Sequence, residues 1–150
     1  MAEVLDPAAV LARIPHGEPF RFVDEIVALD DDHVRARYRW RADAAFYRGH
    51  FPGHPVTPGV LLVECMAQCV LVPFAIRLLA NAGRDLTGLR TVLTETRAEF
   101  ASMVRPGEEV SVSGRRILFR HRKLRAEAEM RGADGRLVCT ATLGGLLVPA

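Results

Sequence analysis

Apolar and polar residues alternate strictly along part of the chain, and a period of two residues predicts a β-strand. Between positions 33 and 41 the apolar residues occupy every second position: Val34, Ala36, Tyr38 and Trp40. The positions between and after them hold arginines: Arg35, Arg37, Arg39 and Arg41. One face of this strand is therefore expected to pack a core, and the other to meet water or a partner.

Similar stretches, bounded by turn residues, predict further strands at 20–28, 90–95, 109–119, 124–131 and 137–148. Turns are expected at the run of three aspartates at 30–32, at 105–108, and at Asp134-Gly135, whose flanking strands indicate a hairpin. A short helix is expected after Asp6, which would cap it, with Pro7 at its first position.

The longest apolar run covers residues 60–79 and follows a loop at 47–59 that contains three prolines and three glycines. Because Pro58 suits the first turn of a helix, this run predicts one long buried helix. Polar residues and a proline interrupt the run, which argues against a membrane span: Glu64, Gln68, Pro73 and Arg77.

A single antiparallel sheet has one apolar face to cover, and one apolar helix is available, so an α+β fold with the sheet wrapped around the helix is expected. The chain of 150 residues, of which 49% are hydrophobic, is predicted to be one domain spanning 1–150. Its net charge of +2 is too small to indicate a nucleic-acid partner. The three cysteines form no Cys-x-x-Cys pair and the N-terminus is acidic, unlike an export signal, so a cytoplasmic location is expected.

A carboxylate on the apolar helix is costly to bury without a partner, so Glu64 is expected to be hydrogen-bonded or functional. The nearest candidate partners in the sequence are His50 and His54, in the preceding loop. His50 alternatively closes the loop by a hydrogen bond. A histidine and a glutamate alone provide too few ligands for a zinc site, so no metal site is expected.

The segment His-Phe-Pro-Gly-His-Pro-Val-Thr-Pro-Gly-Val-Leu at 50–61, followed by Glu64 and Gln68, resembles the signature of the β-hydroxyacyl-acyl carrier protein dehydratases. Ile14-Pro15-His16, Pro19-Phe20 and Val23-Asp24 resemble the N-terminal segment of that family, and Phe100, Val104 and the Pro-Gly-Glu at 106–108 resemble a later turn. The resemblance covers about residues 14–145. It implies the hot-dog fold, an antiparallel sheet wrapped around a long central helix.

The resemblance implies dehydration of a 3-hydroxyacyl thioester on acyl carrier protein to the trans-2-enoyl thioester, in fatty acid or polyketide-like synthesis. Such a reaction needs a base, an acid and donors to the thioester oxygen. The family pattern implies His50 as base and Glu64 as acid. It further implies that the N–H groups of Gly59 and Val60 bind the thioester, with the supporting residues Gln68 and Phe51. No cofactor and no metal are expected.

Some residues have alternative interpretations. Gly59 is alternatively small only for packing, His54 is interpreted as a loop residue, and His16 either shapes the substrate mouth or is structural. Thr57 replaces an apolar residue that the family usually carries, and Pro73 interrupts the helix. Two other functions stay open: a non-catalytic subunit of a heteromeric dehydratase, and an acyl thioesterase on the same fold.

The expected partner is an acyl carrier protein bearing a phosphopantetheine-linked acyl chain. The family's arginines near Phe100 are absent, since its neighbours are Glu99 and Ala101, so another basic run is the candidate contact: Arg115, Arg116, Arg120, Arg122, Lys123 and Arg125. The helix has more apolar surface than one sheet covers, which predicts a second subunit. A homodimer, a higher oligomer such as a trimer of dimers, and a heterodimer with a related subunit are all compatible with the sequence.

Overall fold

The computed structural model describes residues 4–148. The helices are α1 (Pro7–Leu11) and α2 (Gly59–Asn81), with a short 3-10 helix at Ala45–Arg48 between β2 and α2. The strands are β1 (Glu25–Leu29), β2 (His33–Arg39), β3 (Arg90–Phe100), β4 (Glu109–Arg120), β5 (Lys123–Gly132) and β6 (Leu137–Val148). They form one antiparallel sheet in the order β1-β2-β4-β5-β6-β3.

The sheet wraps around α2, and strands β2 to β6 all contact this helix. Its buried side chains meet the inward-facing residues of the strands in one core, which includes Trp40, Met66, Phe74, Leu124 and Leu143. The predicted α+β architecture is therefore confirmed.

The alternation predicted for β2 is confirmed, because its apolar side chains are buried and its arginines are exposed. Neighbouring acidic residues neutralise several of these arginines: Arg37 pairs with Glu25, and Arg39 with Glu109. These charge pairs between adjacent strands stabilise the polar outer face of the sheet.

The predicted strand at 20–28 is wrong in its first half, since β1 begins only at Glu25. The main chain before it is engaged elsewhere: Phe22 N donates to Gln68 Oε1 over 2.7 Å, and Phe20 O accepts from Gln68 Nε2 over 2.9 Å. A segment bonded to a helix side chain is not available to extend a strand ladder. The strand predicted at 90–95 is too short, because β3 continues to Phe100.

Helix α2 begins at Gly59, directly after its N-cap Pro58, and it continues through Pro73 to Asn81. It is long and apolar enough to cross a membrane, yet 78% of its most apolar window is buried inside the fold. Within residues 4–148 it is therefore the core helix around which the sheet closes.

The two edges of the sheet differ. The short edge strand β1 contacts α1 on one side, whereas β3 is an edge of 11 residues that is exposed along most of its length. Apolar Val92 and Leu93 of β3 are 44% and 42% exposed. A long exposed edge strand of this kind is a template for pairing with another strand.

Candidate active site

Glu64 and Gln68 lie one turn apart on α2, and Gln68 Nε2 donates to Glu64 Oε1 over 2.9 Å. Gln68 is fully buried, and its amide is held at both ends by the chain segment before β1. Because Phe22 N–H can only donate, the Gln68 oxygen must face it, and the Gln68 nitrogen must face Glu64. The amide therefore presents a donor to Oε1 of Glu64, whereas Oε2 has no hydrogen-bond partner among the described residues.

His16 lies on the other side of the carboxyl group, with its Nε2 3.6 Å from Glu64 Oε1. This distance is a contact rather than a hydrogen bond. Burial lowers the pKa of His16; Glu64 opposes the change, and the nearby Arg21 adds to it. His16 is therefore a neutral neighbour of the carboxyl group at neutral pH.

Arg21 fixes the segment that carries His16, by donating to the main-chain oxygens of Leu11, Ile14 and His16 over 3.1, 3.4 and 3.3 Å. Sequence reasoning missed this residue, because a single arginine between two phenylalanines has no recognisable pattern. Its role depends on a turn that brings three carbonyl groups together.

His50 lies in the loop between the 3-10 helix and α2, where its Nδ1 is 2.8 Å from Val56 O. A carbonyl oxygen only accepts, so Nδ1 carries the hydrogen and the neutral ring has an unprotonated Nε2. The Phe51 ring stacks on the imidazole, with ring centroids 4.3 Å apart. The loop thus fixes both the tautomer and the orientation of His50.

Thr57 anchors the end of this loop. It is buried, its hydroxyl lies 2.6 Å from Tyr47 Oη, and its N–H donates to Val104 O over 2.9 Å. The hydroxyl that departs from the family pattern is therefore satisfied inside the protein. Tyr47 was not predicted to take part.

Gly59 is the first residue of α2. The main-chain N–H groups of Gly59 and Val60 have no acceptor within the helix. Val60 is 78% exposed, whereas the ring of Phe100 covers Gly59: a Cβ at position 59 would lie 3.2 Å from the ring. Both interpretations of Gly59 fit this geometry, since the helix start offers donors and a Cβ at position 59 would press against the Phe100 ring.

Within residues 4–148, His50 and Glu64 share no hydrogen bond or ion pair, and no cluster of three potential metal ligands occurs. Glu64 instead borders a small cavity with His16, Gln68 and Thr91, between α2 and β3. His54 has no side-chain contact with Glu64 among the described interactions. Within the described part of one chain, the two predicted catalytic groups therefore make no direct polar contact with each other.

The cysteines of α2 are buried, and the thiols of Cys65 and Cys69 lie 3.3 and 3.7 Å from Phe22 O. Burial raises the pKa of the Cys65 thiol well above its usual value. Both residues behave as small apolar side chains rather than nucleophiles.

The model of the FabA-like domain matches residues 14–142. A 3-hydroxyacyl-[acyl-carrier-protein] dehydratase of Pseudothermotoga lettingae is 35% identical over 133 residues, covering 87% of this chain and 87% of the relative. Among solved structures, a dehydratase heterocomplex of Xenorhabdus doucetiae matches with TM-score 0.78 at 16% identity, over 96% of this chain and 92% of that chain. A mutant thioesterase of Pseudomonas aeruginosa matches with TM-score 0.66 at 18% identity, over 99% and 97%. At these identities the two structures show a shared fold.

Proposed function

Since the chain belongs to the FabA-like family, a family of 3-hydroxyacyl-acyl carrier protein dehydratases, we propose that His50 and Glu64 are the base and the acid of that reaction. The enzyme is a dehydratase of fatty acid synthesis. It acts on a 3-hydroxyacyl thioester and forms the 2-enoyl thioester and water. We further propose that the product is the trans-2-enoyl thioester and that the enzyme is cytoplasmic. A polyketide-like pathway is proposed as the alternative to fatty acid synthesis.

The observation that carries these roles is the hydrogen bonding of the two side chains. His50 donates from Nδ1 to Val56 O, so its free Nε2 is ready to take the proton from the carbon next to the thioester. Glu64 receives a hydrogen bond from Gln68 on one oxygen, so the other can hold the proton that the departing hydroxyl needs. The N–H groups of Gly59 and Val60 would stabilise the negative charge that develops on the thioester oxygen.

The two groups would meet in a dimer. We propose that β3 pairs with β3 of a second copy, because this edge is long and carries exposed Val92 and Leu93. Each site would then combine His50 of one chain with Glu64 of its neighbour, which fits the lack of a hydrogen bond or ion pair between them within one chain. The mass of the protein in solution tests this dimer. A higher oligomer, or a heterodimer formed with a related subunit, would be the alternative outcomes of that measurement.

The function is tested by incubating the purified protein with 3-hydroxyacyl carrier proteins of several chain lengths and following intact mass. Dehydration removes one water from the acyl carrier protein, whereas a thioesterase would release the whole acyl group. Loss of the acyl group, or no change with any chain length, would contradict the proposal. The fold shared with thioesterases makes hydrolysis the alternative to measure.

The carrier protein is proposed to dock on the tip of the β4–β5 hairpin. Three residues of the predicted basic run are already paired: Arg115 with Glu127, Arg116 with Asp32, and Arg125 with Glu95. Arg120, Arg122 and Lys123 have no ion pair among the described residues, and Arg122 is held in the left-handed region with φ 64° by the tight turn. An exposed cationic tip suits the acidic surface of a carrier protein.

Reversing two of these charges tests the docking surface. Arg120→Glu with Lys123→Glu should raise KM for acyl carrier protein about tenfold or more at low salt, with little change for the same acyl group on free pantetheine. Arg35→Glu with Arg84→Glu, on two exposed arginines outside the hairpin, is the control for net charge, because both double variants change the net charge by the same amount. An equal effect of both variants, or an effect on the small thioester, would place docking elsewhere.

A further inference from the structure

Two residues that line the cavity beside Glu64 carry polar atoms that the protein itself leaves without a hydrogen-bond partner. Among residues 4–148, the buried His16 Nδ1 and Thr91 Oγ1 have no hydrogen-bond partner, and both residues line this cavity. A buried polar group without a partner costs about 1–3 kcal/mol, so such groups are rare without a reason. Two of them beside one carboxyl group indicate a polar binding site.

The size of the cavity limits what can bind there. Its volume is about 20 Å³, and one water molecule needs a cavity of about 10–15 Å³. The other lining residues are Gln68, whose amide is already hydrogen-bonded, and four apolar residues: Ala67, Leu71, Val72 and Leu93. A single water, or one hydroxyl group of a substrate, fits both the volume and the number of polar partners.

Close packing against the sheet sets the position of Thr91. A Cβ on Gly145 would lie 3.2 Å from the Thr91 methyl group and 3.1 Å from Leu71 Cδ1, so the absence of a side chain at 145 lets both residues sit against the strand. With its methyl group turned to Gly145, Thr91 must direct its hydroxyl to a different staggered position.

We propose that Thr91 is a positioning residue that, with His16, holds the water formed from the 3-hydroxyl group. Glu64 transfers its proton to the 3-oxygen as the C3–O bond breaks, with both bonding electrons staying on oxygen, while the base takes the proton from C2. The new water then lies between Glu64, His16 and Thr91. In the reverse reaction the same water is held for addition to the enoyl thioester. This proposal rests on the assignment of Glu64 as the acid.

The test compares Thr91→Val, which removes the hydroxyl at nearly constant shape, with Thr91→Ser, which keeps it. Thr91→Val should lower kcat about tenfold with KM nearly unchanged, the effect of one lost hydrogen bond, and Thr91→Ser should stay within about twofold of the parent. Melting temperatures of both variants report on folding. Should Thr91→Val melt early, Thr91→Ala takes its place in the comparison with Thr91→Ser.

Oxygen labelling separates a positioning role from a merely structural one. A 3-hydroxyacyl carrier protein labelled with ¹⁸O at the 3-oxygen is converted partly, and the remaining substrate is weighed by mass spectrometry. The parent should return the same oxygen to the chain and keep the label, whereas Thr91→Val should lose more label at equal conversion. Equal label retention, or equal kcat, in parent and Thr91→Val would overturn the proposal. Parental turnover by Glu64→Gln would instead refute the proposed function itself.

Discussion

The proposed acid half of the site, around Glu64, and the proposed base half, around His50, are built in different ways. Glu64 and Gln68 belong to the core helix, and Gln68 is tied to the main chain at Phe20 and Phe22, more than 40 positions away in sequence. His50 is held within its own loop, by Val56 O and by the ring of Phe51, which is 55% exposed. The acid half thus depends on the whole fold, and the base half on one loop.

This difference would allow two chains to share the proposed site. A loop that fixes its own histidine can offer it to a neighbour without help from the rest of its chain. The acid half does not depend on a neighbour in this way, because Gln68 forms its hydrogen bonds to Phe20, Phe22 and Glu64 within one chain. We therefore expect mutations in the acid half to affect folding and activity, and those in the base half to affect activity alone.

The largest expected effect concerns the separation of the two halves. His50→Ala and Glu64→Gln should each lower kcat by about 10²- to 10⁴-fold, the usual contribution of a general acid or base. Each hybrid dimer holds one complete site of two, about half of the parental activity. An equimolar mixture after random subunit exchange, in which about half of the dimers are hybrids, should therefore recover up to about a quarter of the parental activity. Size-exclusion chromatography with differently tagged chains verifies the exchange. No recovery after verified exchange, or a monomer by light scattering, would show that the halves are not shared.

A second, smaller effect tests whether the acid half depends on the fold. Gln68→Leu leaves the Phe22 N–H and the Phe20 carbonyl without their side-chain partner, at a cost of about 1–3 kcal/mol in the free energy of unfolding. Chemical denaturation measures this loss, and Val60→Ala, exposed on the same helix, is the control with no expected change. A parental free energy of unfolding for Gln68→Leu would mean that the tether does not support the fold.

The smallest effect belongs to the base half. Phe51→Ala removes the ring that stacks on His50, so the imidazole has more freedom, and kcat should fall about three- to tenfold. Unfolding should change by less than about 1 kcal/mol, since the ring is largely exposed. Thermal melts beside kinetics on one protein batch check both expectations. A large loss of stability with unchanged kcat would reverse our distinction between the halves.

Local patterns in the sequence predict the parts of this molecule that local physics determines. The alternation at Val34 to Trp40 predicts β2, and the spacing of Glu64 and Gln68 places them on one helix face, where they do form a hydrogen bond. The predicted start of β1 was wrong because the residues before Glu25 form hydrogen bonds with Gln68, and no local pattern in the sequence indicates that contact. Arg21 and Thr91 were missed for the same reason, since their partners come from distant elements. The catalytic roles of His50 and Glu64 stay predictions.

The burial of α2 by later strands has a consequence for synthesis of the chain. Strands β3 to β6, which cover most of the helix, end at Val148, about 70 residues after Asn81. At about 5–20 residues per second, the ribosome exposes this apolar helix for several seconds before its cover is complete. During that interval the nascent chain presents a segment that passes for a membrane span, and a chaperone or the growing sheet has to shield it. The same order of elements means that truncation after β3 would leave the most apolar part of the protein uncovered.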